Sequence, residues 1–167
     1  MDNKMNLTLL ADFYEITMAN GYLEHGVADQ IAYYDVFFRK IPDEGGFAIM
    51  AGLEQVIEDI AYLRGKQCFS EAFLEYLVQF QFCCDVWAIP EGVPVFPGEP
   101  LMTLRGPALQ AQFIETMVLL TISHQCLIAT KANRIVRAAD GRAVMEFGSR
   151  RAQGADGAIM GARAAYI

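Results

Sequence analysis

The sequence lacks the long apolar run that a membrane helix needs. Its longest stretch without Asp, Glu, Lys or Arg has 15 residues, at positions 116–130, whereas a bilayer span takes about 20 mostly apolar residues. The N-terminus has no basic region followed by an apolar core and a small-residue cleavage site, so nothing in it predicts export. These absences predict a cytoplasmic protein that does not bind a membrane.

Residues that bind metals are scarce as well. The chain has four cysteines without a Cys-x-x-Cys pair and only two histidines, His25 and His124, so a zinc site is not expected. The cysteines are predicted to be reduced thiols in or near a core. His25, which precedes Gly26, is expected at a helix end or on the surface, and neither histidine is expected to be catalytic.

The length of 167 residues is too short for a closed eight-unit α/β barrel, which needs about 250 residues. Hydrophobic residues make up 54% of the chain and charged residues 20%, a composition that supports a folded core. Acidic residues outnumber basic ones by 20 to 13, and this balance argues against binding to nucleic acid.

Positive charge is concentrated near the C-terminal end of the chain. Residues 1–130 hold six Lys and Arg against seventeen Asp and Glu, while residues 131–167 hold seven against three. A local positive region in an acidic protein suits a small anionic ligand. Lys131, Arg134 and Arg137, spaced three apart on a predicted helix, are alternatively its solvated face.

Hydrophobic periodicity and turn residues predict a mixed α and β region over most of the chain. Helices are predicted at residues 8–24 (with Thr8 as N-cap), 53–64, 70–82, 108–122 and 123–139. Strands are predicted at residues 30–38 and 47–51. Prolines and glycines divide residues 86–107 into short strands, which predicts an antiparallel meander.

The first predicted helix has apolar residues on two sides. The side expected to face the core holds Leu9, Phe13, Ile16 and Leu23. The opposite side holds a stripe of Tyr14, Met18 and Tyr22. Because a small monomer does not normally expose such a stripe, it predicts cover by another subunit or, alternatively, by later helices of the same chain.

A break at residues 140–142 (Asp-Gly-Arg) predicts a boundary between a domain at 1–140 and the start of another at 141–167. Residues 143–147 are predicted to form an apolar strand, and Asp156 is predicted to cap a final helix without a basic last turn. A lone strand and helix leave the strand without a parallel neighbour. The pattern therefore predicts a piece of a longer protein.

The loop at residues 146–154 leaves the carboxyl end of this predicted strand, where α/β folds bind substrates. Its Arg150 and Arg151 can offer paired donors to phosphate or carboxylate oxygens, and Gly154 allows close approach of the backbone. The glycine spacing matches neither a dinucleotide fingerprint nor a phosphate loop. A surface Arg-Arg pair without function is therefore the alternative.

Five motifs occur in the order in which they occur in one enzyme family. They are residues 10–22 (Leu-Ala-Asp-Phe-Tyr-Glu-Ile-Thr-Met-Ala-Asn-Gly-Tyr), 35–40 (Asp-Val-Phe-Phe-Arg-Lys), 46–49 with 52–54 (Gly-Phe-Ala-Ile and Gly-Leu-Glu), 90–92 with 99–101 (Pro-Glu-Gly and Glu-Pro-Leu), and 146–154 (Glu-Phe-Gly-Ser-Arg-Arg-Ala-Gln-Gly). With these motifs the chain resembles nicotinate phosphoribosyltransferase.

The resemblance implies an N-terminal α+β domain, with helices and a small antiparallel sheet, followed by the first βα unit of an irregular α/β barrel. It implies a longer enzyme that forms nicotinate mononucleotide and diphosphate from nicotinate and 5-phosphoribosyl 1-diphosphate, in NAD biosynthesis. ATP and Mg²⁺ are the cofactors that the family implies. The alternatives are a noncatalytic subunit or dimerisation module, and a relative that uses nicotinamide or quinolinate.

The resemblance also implies roles for individual residues. Tyr14 would stack on the nicotinate ring at the neighbouring subunit's site in a homodimer, and Arg150 and Arg151 would bind the phosphoribosyl diphosphate or the nicotinate carboxylate. Further candidate binding residues are Arg39, Gln153 and Gly154. The family's phosphorylated histidine would fall after Ile167, so no catalytic residue or metal ligand is expected within this chain, which alone is predicted to be inactive.

Overall fold

The computed structural model describes residues 10–62, 75–76 and 80–167. Its α-helices are α1 (Phe13–Glu24), α2 (Leu53–Tyr62), α3 (Ala108–Phe113), α4 (Glu115–Ala138) and α5 (Gly154–Tyr166). Its strands are β1 (Ile31–Val36), β2 (Ala48–Ile49), β3 (Asp85–Ala88), β4 (Pro94–Val95) and β5 (Met102–Pro107). Single 3-10 turns occur at Pro42–Glu44 and Ser149–Arg151.

The described residues divide into two compact units that alternate along the chain. The first unit takes its residues from Met1–Asp35, Val56–Trp87 and Thr103–Leu119. The second takes its residues from Val36–Gln55, Ala88–Met102 and Leu120–Ile167. The predicted division at residue 140 into an N-terminal domain and a barrel domain stays a prediction.

The strands form two small antiparallel sheets. One has the order β1-β5-β3, and the other pairs β2 with β4, with Ala48 opposite Val95. The prediction of short strands over residues 86–107 is therefore confirmed, but the prediction of a meander is wrong, because β4 pairs with β2 rather than with β3 or β5. The two-stranded sheet is extended by the Met50 N–H, which donates to the Val93 carbonyl at 3.0 Å.

Helix α1 agrees only in part with the predicted core side, since Leu23 packs against the core and Ile16 is half-buried, but Phe13 is exposed. It begins at Phe13, after Asp12 at the N-cap position, whereas the predicted cap Thr8 and the predicted core residue Leu9 lie outside the described residues. Phe13 is 79% exposed, while Glu15 and Ala19 are buried. The prediction that Phe13 faces the core is thus wrong. The first unit's core contains Ala19, Ala28 and Leu109, with Tyr22, Leu23 and Phe113 packed against them.

The predicted break between residues 122 and 123 is also wrong. The helix is interrupted at Ile114 instead, with φ −100° and ψ 5°. Ile122 is buried inside the continuous helix α4. In the second unit, two side chains of α4 bond to the backbone near β2: Thr130 Oγ1 accepts from the Ile49 N–H at 2.8 Å, and Cys126 Sγ accepts from the Ala51 N–H at 3.2 Å.

Residues 143–147 do not form the predicted strand. All five are exposed, and Phe147 is 82% exposed. A strand needs a neighbour to receive its backbone hydrogen bonds, and the described part of the chain supplies none here. The last helix also differs from the prediction, since α5 begins at Gly154 after Gln153, Asp156 lies within its first turn, and Arg163 lies in its last turn.

Three further predictions concern the helix at residues 70–82, the state of the cysteine thiols and the absence of a membrane-spanning helix. Glu75 and Tyr76 are helical, and most of the rest of that predicted helix lies outside the described residues, as does Cys68. Cys83, Cys84 and Cys126 are free thiols, of which Cys126 is buried. Among the helices that the structure describes, none combines the length and the apolar composition needed to cross a bilayer.

Candidate functional site

The two candidate arginines lie on the 3-10 turn that precedes α5, in the second unit. The turn is closed by the Arg151 N–H, which donates to the Gly148 carbonyl at 2.8 Å, and by the Ala152 N–H, which donates to the Ser149 carbonyl at 3.2 Å. Arg150 and Arg151 are both exposed. Neither has an ion-pair partner within residues 10–62, 75–76 and 80–167. Both guanidinium groups are therefore free to bind an anion.

The first turn of α5 adds backbone donors beside these arginines. Gln153 occupies the N-cap position without a side-chain cap hydrogen bond, and Gly154 has a φ of 87°, a conformation that favours glycine. A Cβ at Gly154 would meet no atom within 4 Å, so the backbone here is open to a ligand. Uncapped N–H groups at a helix N-terminus attract anions, although Asp156 in the same turn opposes this.

The other basic residues of the second unit differ in how available they are. Arg134 forms an ion pair with Asp43 at 3.7 Å, so it is not simply part of a solvated face. Lys131 and Arg137 are exposed, as expected for such a face. Arg39 is exposed after β1, and no hydrogen bond or ion pair joins it to the 149–151 turn among the residues described.

Tyr14 lies on the outer side of α1, in the first unit. It is 43% exposed, and Met18, one turn later, is also exposed. Of the predicted stripe, only Tyr22 packs against the core of its own unit, as the alternative of cover by the same chain expects. Cover of Tyr14 and Met18 by another subunit stays a prediction. Partial desolvation, with a hydrogen bond to Glu115, raises the pKa of Tyr14 to about 12, so its ring stays a neutral phenol.

A buried carboxylate fixes the start of α1 beside α4. Glu15 Oε1 accepts from the Thr116 N–H at 2.8 Å and from its hydroxyl at 2.7 Å. Glu15 Oε2 accepts from the Asp12 N–H at 3.1 Å. Burial raises the pKa of Glu15, although these three donors act in the opposite direction. Tyr14 precedes Glu15 and Glu115 precedes Thr116 in the sequence. The hydrogen bonds between Glu15 and Thr116 therefore also keep Tyr14 close to Glu115.

Sequence reasoning missed a second charged cluster, which lies in the second unit. Arg163 of α5 binds both carboxylate oxygens of Glu91, with Nη1 to Oε1 at 3.1 Å and Nη2 to Oε2 at 2.8 Å. Arg163 also donates to Gln125 Oε1 at 3.1 Å and to the Glu54 carboxylate. Glu91 accepts in addition from the Gly52 N–H at 2.7 Å. The only signal in the sequence was that Glu54 and Glu91 belong to motifs of the resemblance.

This cluster should make stability depend on pH. Burial alone would raise the pKa of Glu91, but hydrogen bonds from Arg163 and Gly52 hold it below its usual range. A carboxyl with a lowered folded-state pKa contributes stability above its unfolded-state pKa, and that contribution is lost as the pH falls through the folded-state value. We expect Glu91→Gln to lower the free energy of unfolding by about 1–2 kcal/mol at pH 7, with a smaller difference from wild type at pH 3.

Urea denaturation of both proteins between pH 7 and pH 3 measures this difference. Glu99→Gln is the matched control, because Glu99 is exposed in the same unit and has no ion-pair partner in the described chain. A difference between wild type and Glu91→Gln that stays constant over the whole pH range would contradict the assignment.

The described residues contain no group of three or more His, Cys, Asp or Glu side chains that could hold a metal ion. His25 occupies the C-cap position of α1 and is exposed, as predicted, and His124 is exposed on α4. The candidate site residues are thus two exposed arginines on the 149–151 turn of the second unit and, in the first unit, the partly exposed ring of Tyr14.

Comparison with known proteins defines the family. A family model for the nicotinate phosphoribosyltransferase N-terminal domain matches residues 9–123. The chain is 43% identical over 169 residues to nicotinate phosphoribosyltransferase pncB2 of Mycobacterium tuberculosis, covering 95% of this chain and 36% of the relative. It is 40% identical over 172 residues to nicotinate phosphoribosyltransferase of Bacillus subtilis, covering 97% and 35%.

A solved structure agrees with this result. The crystal structure of human nicotinic acid phosphoribosyltransferase matches with a TM-score of 0.80 and 34% identity, over 93% of this chain and 34% of the human chain. The chain belongs to the nicotinate phosphoribosyltransferase family, and its fold of helices with small antiparallel sheets resembles the N-terminal region of that structure. It spans about a third of the length of the curated relatives it matches. The family model covers Tyr14 and ends before Arg150 and Arg151.

Proposed function

We propose that a longer polypeptide carrying this chain is a nicotinate phosphoribosyltransferase. It joins nicotinate to 5-phosphoribosyl 1-diphosphate and releases nicotinate mononucleotide and diphosphate, as a step in NAD biosynthesis. The observation that supports this most directly is the turn with Arg150 and Arg151, two exposed cations that have no ion-pair partner among the residues described and that precede the uncapped start of a helix. On this proposal the chain alone is inactive.

The chemistry explains why arginines are needed. As the bond between the anomeric carbon and the diphosphate oxygen breaks, the bonding electrons leave with the diphosphate and the ribose gains oxocarbenium character. Guanidinium donors stabilise the charge that grows on the leaving group, and planar pairs of N–H groups match its oxygens. We assign this role to Arg150 and Arg151, with Arg39, Gln153 and Gly154 as further contacts to the same anion.

The pyridine nitrogen of nicotinate is the nucleophile, so no protein nucleophile is required. It forms the new bond to the anomeric carbon with its own lone pair. A flat aromatic side chain can hold the ring in line with that carbon. We assign this role to Tyr14, whose neutral and partly exposed ring is available for stacking, and we propose that it acts at the site of the neighbouring subunit in a homodimer.

ATP and Mg²⁺ belong to the same proposal for the longer polypeptide. Mg²⁺ on the diphosphate oxygens would share the growing negative charge. Mg²⁺ commonly keeps several waters and binds through substrate phosphates with only one or two carboxylates.

The proposal is tested with the full-length gene product that carries this chain. We expect it to form nicotinate mononucleotide from nicotinate and 5-phosphoribosyl 1-diphosphate in the presence of ATP and Mg²⁺, and we expect the 167-residue chain to form none. Competition with nicotinamide and quinolinate tests the substrate, since a relative specific for either would prefer it over nicotinate. Absence of product from a folded full-length protein would favour a noncatalytic subunit.

Replacing Tyr14 should act mainly on the pyridine substrate. In the full-length protein, Tyr14→Ala is expected to raise the KM for nicotinate about tenfold, because a stacked aromatic contact contributes about 1–1.5 kcal/mol. The KM for 5-phosphoribosyl 1-diphosphate should change little. Steady-state kinetics with each substrate varied in turn measures both values.

Two control variants accompany this measurement. Tyr14→Phe keeps the ring and should retain most of the nicotinate affinity. Phe13→Ala removes the neighbouring ring on the same helix, which is 79% exposed, and tests whether any aromatic residue of this surface suffices. Equal effects of Tyr14→Ala on the two substrates would count against stacking.

A further inference from the structure

All four terminal N–H groups of Arg163 bond to acceptors of its own unit, although this residue belongs to the helix that follows the 149–151 turn. Its Nη1 bonds to Glu91 and Gln125, and its Nη2 bonds to Glu91 and Glu54. The side chains of Arg163 and Glu91 are only 27% and 21% exposed. A guanidinium surrounded by acceptors of its own unit is suited to orient an element rather than to bind substrate.

Helix α5 is attached to the second unit through its C-terminal half. Met160 Sδ accepts from Gln125 Nε2 at 3.9 Å, and Ala164 is buried. A Cβ at Gly161 would lie 3.3 Å from Ile128 Cδ1, so α5 and α4 approach closely at this glycine. Residues 154–156 are exposed, while Gly157 and Ala158 are half-buried. The hydrogen bonds and the buried side chain of α5 therefore lie at residues 160–164, and its first turn is exposed.

The exposed first turn of this helix follows the arginine turn. Nine residues separate Gly154 from Arg163, which is about 14 Å along a helix axis. A tilt of about 10° at residues 160–164 would displace the first turn by about 2 Å, and errors of about 1 Å in the placement of a binding group are already costly to a reaction. The direction set near Arg163 thus determines where Arg150 and Arg151 lie.

We propose that Arg163 is a positioning residue for the Arg150 and Arg151 turn. Its two-point contact with Glu91 sets the direction of α5, and so places both arginines where a sugar diphosphate binds. Two parallel N–H to oxygen bonds define an orientation, which a single ammonium group does not. The identity of the anion rests on the proposed function. The orientation of α5 by the contact between Arg163 and Glu91 does not depend on it.

The first test measures binding by the full-length protein. Isothermal titration calorimetry with 5-phosphoribosyl 1-diphosphate is expected to show affinity about tenfold weaker in Arg163→Met, and weakened also in Arg163→Lys, which keeps the charge but loses the fork. Arg105→Met is the matched control, since Arg105 pairs with Asp85 at 2.9 Å on the exposed sheet of the first unit. The control should stay within twofold of wild type.

The second test needs no substrate. Amide hydrogen exchange is measured in residues 148–158 of the same proteins, where the Arg151 N–H bonds to the Gly148 carbonyl. Faster exchange in both Arg163 variants, with wild-type exchange in Arg105→Met, is the expected result. A purely structural role would lower the thermal midpoint and leave exchange in this segment and affinity unchanged in the folded protein.

The outcomes separate the two proposals. Wild-type affinity in Arg163→Lys, or an effect of Arg163→Met no larger than that of Arg105→Met, would overturn the positioning role. If Arg163→Met fails to fold, the affinity and the amide hydrogen exchange of Arg163→Lys decide whether Arg163 has the positioning role. If the wild-type protein binds no 5-phosphoribosyl 1-diphosphate, the proposed function fails. Amide hydrogen exchange in residues 148–158 then decides by itself whether Arg163 orients the turn.

Discussion

Glu15→Ala is expected to lower the free energy of unfolding by about 3 kcal/mol. The carboxylate is fully buried and accepts three hydrogen bonds, two of them from Thr116. Alanine removes every acceptor at once and leaves the Thr116 N–H and the Asp12 N–H without these partners. It also leaves a cavity, which adds to the loss. Urea denaturation of wild type and variant measures the difference.

Two further variants show whether the buried bonds cause this loss. Glu15→Gln keeps one oxygen acceptor for Thr116 and should lose less stability than Glu15→Ala. Glu24→Ala, on the same helix, removes an exposed carboxylate that accepts only from Asn20 Nδ2 at 3.0 Å, so its effect should stay within about 0.5 kcal/mol. If Glu24→Ala and Glu15→Ala lost equal stability, Glu15 would have no special structural role.

Glu15 also explains why Phe13 was assigned to the core side of α1. Periodicity assigns the core side to apolar residues and places a carboxylate in solvent. Here the carboxylate is inside because Thr116, which is 101 positions later in the chain, supplies donors. Phe13 faces outward as a consequence. A long-range hydrogen bond leaves no trace in the local hydrophobic pattern, so periodicity alone could not have found it.

Local patterns did predict elements that depend on local chemistry. The β-branched and aromatic run at residues 30–38 contains β1 (Ile31–Val36), and the glycine and proline positions between residues 86 and 107 separate three short strands. Which strands pair with each other could not be predicted from these local patterns. β4 bonds to β2, more than forty residues earlier, and residues 143–147 form no strand because a strand depends on a partner that the described chain does not provide.

The residues of the candidate site also differ in whether a local pattern could predict them. Tyr14 and the arginine pair were predicted as candidates because each is visible within a short motif: an apolar stripe on a helix and two adjacent cations before a glycine. Arg163 and Glu91 were not found, since 72 positions separate them and each alone has the appearance of an ordinary surface charge. The residues proposed to bind a ligand were thus more visible in the sequence than the residues proposed to position them.

Arg151→Ala should have the largest effect on substrate binding by the full-length protein. Loss of a charge-assisted pair of hydrogen bonds weakens binding by roughly 1.5–3 kcal/mol, which is about a 10–150-fold increase in the Kd for 5-phosphoribosyl 1-diphosphate. The change should exceed the effect of Arg151→Lys, because lysine keeps the charge and loses the planar donors. Calorimetry gives the Kd, and kinetics with nicotinate varied shows which anion Arg151 contacts.

Arg142→Ala is the control for this experiment. Arg142 is exposed a few residues before the turn, and its Nη1 donates to the Ala139 carbonyl at 3.3 Å. Removing it lowers the positive charge of the same segment by one, as Arg151→Ala does, so a general electrostatic effect would appear equally in both variants. A selective loss in Arg151→Ala means that the 149–151 turn contacts the anion directly, whereas equal or unchanged affinities would make the Arg150 and Arg151 pair a surface feature without a role in binding.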